Sequence, residues 1–424
     1  MSGDLRDALG DRQGGTVTPS GARGAWERFF GVVNAGMELG ARVGLGVHEL
    51  EVDELLETAH RRTGLDDFGP RDFEEPLRVL VAAVRSEARL TELGRLATRR
   101  DLLRLLTNRL RLVDDRKRHP EIASESIRAP WIITGLPRTG TTLLFNLLAL
   151  DPANRTPLTW EVMDSSPPPG RAGSDDARAA ECDRALDWFG RMAPEYRKIH
   201  PIGAHLPQEC IAITSHAFRS VRFHRTHHVP SYRAWLDGAD MTPAYRWHHA
   251  SLQHLGWGTG RARWVLKTPA HLFGLGALLA VYPDARVVQT HRDPLKSIAS
   301  NTSQVVVLRR AFRGAEAPLE VDATMRRWST ALNEMMDRRD RGEIGRAVDL
   351  WHRDLIRDPI EGVRAVYAAF DAELSPDAEA RMRAWVEAHP REEHGAHRYT
   401  LEGFGIDPER HGALFARYRE RHGV

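Results

Sequence analysis

Apolar and polar positions change rhythm along the chain, and each change marks a region. Between Val52 and Lys117 the apolar positions keep helical spacing: Leu103, Leu106, Leu110 and Val113 recur three or four residues apart among Arg and Asp. That pattern predicts helices with one buried face. Residues 1–24 ahead of it are polar and Gly-rich without a period, which predicts a flexible arm and leaves 25–127 as a helical N-terminal region. At Ala129 the character changes. Ala129 to Thr134 is a short apolar, β-branched run suited to a buried parallel strand, a Gly/Pro turn follows, and Thr141 to Leu150 is Leu-rich. The same order recurs with a strand at 264–268, a helix at 271–281 and a strand at 286–290, after which Pro294 opens another helix. Strands alternating with helices predict an α/β fold over 128–424, a P-loop-like parallel β-sheet flanked by helices, with its site at the carboxyl ends of the strands. A Pro-, Gly- and Arg-rich stretch at about 165–207 reads as an insertion over the sheet edge, placed to act as a lid. Amphipathic helices are expected near 320–338, 359–371 and 377–388.

Composition narrows the class. The 424 residues carry 60 Lys+Arg against 58 Asp+Glu, a net charge of +2. Near-neutrality argues against a protein that lives on nucleic acid or on an anionic membrane, and no window approaches a spanning helix. Two cysteines, Cys182 and Cys210, cannot build a disulfide framework in a chain this long, so a soluble, cytoplasmic protein is expected. Seven histidines fall between His216 and His254. Their spacing matches no metal motif, so they read as helix-surface and pocket-lining residues, and no metal is expected. All but four of the basic residues are arginine. Each surviving lysine is therefore a position where a compact ammonium has a reason to persist.

The most informative segment is Gly135-Leu-Pro-Arg-Thr-Gly140-Thr-Thr142. A glycine-bearing turn between strand and helix aims several backbone N–H groups at one point, where the helix dipole favours negative charge. The Gly-x4-Gly spacing matches a nucleotide P-loop, but Thr141 stands where that motif places Lys, and the cation appears inside the loop as Arg138. A kinase or NTPase tolerating that change, and a non-catalytic adenine-nucleotide-binding protein, are the rival readings.

Pro137-Arg138-Thr139-Gly140-Thr141-Thr142 resembles the 5′-phosphosulfate loop of sulfotransferases that use 3′-phosphoadenosine 5′-phosphosulfate (PAPS), with Arg138 as in the bacterial and tyrosylprotein branches. A second segment, Thr290 to Ser300, resembles that family's 3′-phosphate motif, with Arg292 and Ser300 at the family's spacing. The resemblance covers roughly 128–310 and implies a sulfotransferase. PAPS would be its co-substrate, no metal would be required, and the acceptor would be a hydroxyl on a small molecule, lipid or glycan. Lys267, at the end of the 264–268 strand, corresponds to the family's strand-end catalytic lysine, and Arg398, beside Tyr399, loosely resembles a cation that closes over the 3′-phosphate.

The acceptor hydroxyl needs a base. Glu161 resembles the carboxylate of the tyrosylprotein branch. His271 lies four residues after Lys267, displaced from the family's histidine, and Glu209 resembles a Pro-x-Glu feature of bacterial members. Trp160, Trp188, Phe189, Trp235, Trp247 and Trp257 suggest an aromatic-lined pocket or, equally, core. The Leu103 to Val113 face can pack internally or support a homodimer.

Overall fold

Five buried residues, Trp131–Gly135, form the central strand β1. An Ile-rich run without alternation has to be covered on both faces, and the sheet around it meets that need. In the computed structural model, which describes residues 31–37, 39, 50–171, 173, 175–199, 201–260, 263–389 and 400–424, β2 (Asn154–Arg155), β3 (Arg263–Lys267), β4 (Arg286–His291) and β5 (Arg346–Trp351) complete it. The order is β2-β3-β1-β4-β5 and every pairing is parallel. The predicted arm over 1–24, together with Arg398 and Tyr399, lies outside the described residues.

Alternate side chains of the strands feed two cores. Ile132, Leu266 and Val287 join one cluster with helix residues Leu278, Leu332 and Met335, while Trp131, Ile133, Val265 and Val288 join another with Leu144, Val363 and Phe370. Short β2 carries no hydrophobic signal. Half-exposed β5 mixes Arg and Asp with its apolar residues, which is how an edge strand escapes a hydrophobic pattern.

Ahead of the sheet lie α1 (Val52–Thr63), α2 (Glu74–Glu87) and α3 (Glu92–Arg118). Leu103, Leu106 and Leu110 are fully buried in a cluster shared with Phe218, Phe223 and Tyr232, so that face is used within the chain. Arg109 bolts the junction. Its guanidinium donates to the carbonyls of Phe68, Pro70 and His216 and lies between the rings of Phe73 and Trp247, at 4.3 and 3.9 Å.

After β1 come α4 (Thr141–Ala149), α5 (Thr159–Met163), α6 (Asp175–Met192) and α7 (Pro194–Ile199), the last two within the predicted insertion. Next are α8 (Cys210–Thr214), α9 (Val221–Thr226), α10 (Pro230–Gly238) and α11 (Thr242–Gly256). A 3-10 turn, Pro269–Gly274, links β3 to α12 (Leu275–Val281), so the helix predicted from His271 starts later. Then α13 (Pro294–Arg313) follows β4, α14 (Val321–Asp340) precedes β5, and α15 (His352–Arg357), α16 (Pro359–Ala369) and α17 (Pro376–Ala388) come after it. Among the described residues no helix is long and apolar enough to cross a membrane.

Candidate active site

The turn after β1 is held tightly enough to fix the direction of its amides. Gly135 has φ 135°, and a Cβ there would lie 2.4 Å from the Thr290 carbonyl oxygen, so only glycine allows β1 to approach β4 this closely. Gly140 (φ 91°) caps α4, and a Cβ there would meet Leu355 at 2.7 Å. Arg138 itself takes φ 66°, a left-handed conformation that costs a non-glycine residue of order 1–3 kcal/mol. Neighbouring bonds hold it there. The Thr139 hydroxyl donates to the Leu136 carbonyl at 2.7 Å, and Arg292 Nη1 donates to the Arg138 carbonyl at 2.7 Å.

The two sequence segments therefore meet. Arg138 Nε donates to Ser300 Oγ at 3.3 Å, across 162 residues of chain. Arg138, Arg292 and Ser300 converge where β1, β4 and α13 end or begin, beside the free amides of the α4 N-terminus. Pro137, Gly140, Thr141 and Thr142 line the same cavity, whereas Thr139 is fully buried and serves the turn.

Lys267 ends β3 beside this loop and is 2 % exposed. Its Nζ lies 2.5 Å from Glu209 Oε1 and 3.3 Å from Thr142 Oγ1, and the Thr268 hydroxyl donates to Glu209 Oε2 at 3.1 Å. Glu209 and Thr142 line the cavity, whereas Lys267 is buried behind them and reaches it through these two contacts, as Ser300 does through Arg138. A buried ammonium and a carboxylate are thus paired directly next to the anion loop. Lys296, one turn into α13, is exposed.

Glu161 and His271 sit elsewhere. Both oxygens of the buried Glu161 carboxylate are engaged, one by Arg155 Nη2 at 2.7 Å and the other by the Leu158 N–H at 2.8 Å, and the residue is not part of the cavity wall. The His271 ring is buried against Tyr245, whose hydroxyl lies 2.9 Å from Nδ1. It too stays out of the wall.

The histidines of 216–254 correct the expectation of surface and pocket positions. His216, His227, His248 and His254 are buried, with His248 bonded to the Tyr282 hydroxyl at 2.7 Å and His254 to the Ser165 carbonyl at 2.8 Å; of these four only His227 lines the cavity. Burial, reinforced by nearby arginines, pushes His216 and His227 down to about 3, and burial alone does the same to His271. A folded value below the unfolded one means that the unfolded chain takes up the proton first, so stability is complete above about pH 6.5 and falls as pH drops toward the folded values. For three such groups the loss between pH 6.5 and 5.5 is about 3 kcal/mol. Unfolding monitored by urea titration at the two pH values should show a falling midpoint at constant slope.

The whole cavity, its loop end included, holds about 800 Å³. Its end at the loop carries Arg138, Arg292 and Glu209; its remainder runs between α3, α6 and α13, where a strip of Leu186, Phe189, Met192, Phe223, Leu308 and Phe312 shares the wall with polar residues of α3 and α6 such as Asp101, Arg104, Asn108, Arg111 and Arg178. Of the aromatic candidates Trp188 and Phe189 line it, while Trp160 and Trp247 are buried core. The predicted insertion, through α6, forms one wall.

Residues 130–376 match the sulfotransferase family profile. The chain resembles the structure of sulfotransferase STF1 from Mycobacterium tuberculosis with a TM-score of 0.76 and 34 % identity, covering 87 % of this chain and 99 % of that one. STF9 from Mycobacterium avium gives 0.73 and 28 %, covering 88 % and 96 %. Omega-hydroxy-beta-dihydromenaquinone-9 sulfotransferase Stf3 of Mycobacterium bovis is 24 % identical over 308 residues, 68 % of this chain and 74 % of that protein.

Proposed function

The chain belongs to the sulfotransferase family, and on that premise we propose that it moves the sulfuryl group of PAPS to the hydroxyl of an amphipathic, lipid-like alcohol. The observation that carries this reading is one cavity that joins an anion cradle, with Arg138 and Arg292 backed by Ser300, to a wall with an apolar strip, and that is lined beside the cradle by Glu209, the partner of Lys267. The residues suit the donor. Gly140, in a left-handed conformation, turns the chain into α4, whose first amides suit a phosphosulfate; Arg138 adds charge beside them, and Arg292 with Ser300 suits a 3′-phosphate, for which a planar guanidinium fork and a hydroxyl are good partners.

Glu209 is the base in this reading, because it is the carboxylate on the wall next to Lys267. It takes the acceptor's hydroxyl proton as the acceptor oxygen bonds to sulfur. The bond from sulfur to the 5′-phosphate oxygen breaks, and the Lys267 ammonium meets the charge left on that oxygen. Fixed dipoles and cations at the loop supply the field, so positioning and charge stabilisation carry the reaction, by analogy with phosphoryl transfer.

The strip from Leu186 to Phe312 suits the apolar part of an acceptor, and the polar residues beside it suit a polar head, which together favour an amphipathic alcohol. The menaquinone-derived alcohol in the name of the Mycobacterium bovis relative belongs to this class. The buried free thiols Cys182 and Cys210 support a reducing compartment, the cytoplasm.

Thermal shift without added metal tests the donor. The 3′,5′-bisphosphate product of PAPS (PAP) at about 100 Kd should stabilise the protein by about 2.7 kcal/mol. ATP and ADP should do far less, and an ATP preference at equal concentration would sink the reading.

A further inference from the structure

We propose that the far end of the cavity is a docking surface for an anionic lipid bilayer, through which the acceptor's apolar part enters; this rests on the lipid-like acceptor proposed above. The path can be followed along α13. Ser300, Gln304, Leu308 and Phe312 recur every four residues and so share one face; the last three line the cavity. At 1.5 Å per residue the row runs about 18 Å, from the hydroxyl that meets Arg138 to two apolar side chains. Its end is docked on the first turn of α3, where the Phe312 carbonyl accepts from the Thr91 amide at 3.1 Å and the Thr91 hydroxyl at 3.2 Å.

Exposed hydrophobic residues lie on or beside the elements that meet there. Among the described residues the large ones are Val32, Leu39, Leu96 and Trp188. Leu96 is 41 % exposed on α3, next to the cavity-lining Ala97, and Trp188 is 40 % exposed on the wall helix α6. Val32 belongs to a helical segment tied to the same turn, since Asn34 Oδ1 accepts from the Leu93 amide at 3.3 Å. Single exposed hydrophobics need no explanation, but several that continue an apolar strip to the surface mark an interaction site.

Charge selects the occupant. Arg62 at the end of α1 and Arg100 on α3, one turn from Leu96, are exposed and also line the cavity. Among the described residues neither makes an ion pair. Basic side chains next to apolar ones are the combination that adsorbs to a bilayer carrying anionic headgroups, with each cation near the surface worth about 1 kcal/mol. The overall charge of +2 does not oppose this, since the attraction is local and screened beyond about 10 Å in 0.1 M salt.

Flotation of the full chain with vesicles tests the surface. The vesicles are phosphatidylcholine alone or with roughly one-third phosphatidylglycerol. Binding should favour the anionic vesicles about tenfold or more and decline with salt. Val32→Glu with Leu96→Glu should lower it about tenfold, and Arg62→Glu with Arg100→Glu should abolish the preference for phosphatidylglycerol. An unchanged thermal shift with PAP shows that the first pair of substitutions leaves the fold intact. No vesicle binding, binding that ignores both pairs, or a self-associated state dispersed by the same substitutions in place of vesicle binding would overturn the proposal. Vesicle binding that follows the substitutions while only short soluble alcohols are sulfated upholds the surface and removes the lipid acceptor instead.

Discussion

Lys267→Met is expected to lower kcat by about 10²–10³ while PAP still shifts the melting temperature, because the loss falls on charge that develops only as the sulfuryl group departs. The ammonium is 2 % exposed, so the surrounding dielectric does little to dilute its effect on a departing oxygen. Methionine keeps an unbranched stem one atom shorter and gives up the contact of the ammonium with Phe145, over whose ring Nζ sits at 5.6 Å. Removing one partner of a buried pair leaves Glu209 with the Thr268 hydroxyl and a carboxylate poorly solvated, a cost of about 3–5 kcal/mol. The folded protein therefore needs its own readout. Combining Lys267→Met with Glu209→Gln removes both charges and should recover most of the stability without recovering turnover. Single-turnover sulfation by the folded double variant at the wild-type rate would take Lys267 out of the reaction.

The meeting of the 135–142 loop with the Arg292–Ser300 segment was legible because its information is local. Gly135, Arg138, Gly140, Arg292 and Ser300 act through a strand end, a turn and a helix start, and each of those is written in a few adjacent residues. Parallel pairing of β1 with β4 then brings the two segments together without further instruction. Short elements were not legible. Two-residue β2 is too brief to carry a period, and polar β5 sits at the sheet edge. The histidines were misjudged for a related reason. Their neighbours come from distant elements, as when Tyr282 satisfies His248 and Ser165 satisfies His254, and no spacing along 216–254 encodes that. Nor could the acceptor wall be read, since it is assembled from α3, α6 and α13.

The base shows this most clearly, and Glu209→Gln is expected to lower kcat by about 10²–10⁴, the range for losing a general base. Glu161 and Glu209 lie in similar surroundings by sequence, each three residues after a leucine and at the start of a short helix, Glu161 in its first turn and Glu209 just before it. What separates them is where the fold puts them. Arg155, one strand earlier, and the Leu158 amide consume the Glu161 carboxylate. Glu209 is likewise held on both oxygens, by Lys267 and the Thr268 hydroxyl, but it lies on the cavity wall, within reach of a bound hydroxyl, and Glu161 does not. Glu161→Gln should accordingly act on stability. It leaves the buried Arg155 guanidinium without its carboxylate, a loss of about 3–5 kcal/mol read as a lower urea midpoint, with kcat within about threefold of wild type in the protein that remains folded. His271→Ala should resemble it, because the ring supports Tyr245 and lies off the wall. The three variants form one experiment. Turnover measured at saturating donor, alongside the PAP-induced thermal shift, should isolate Glu209→Gln as the one that keeps donor binding and loses rate. The same pattern from Glu161→Gln would transfer the proton to that carboxylate and require the Arg155 pair to open during the cycle.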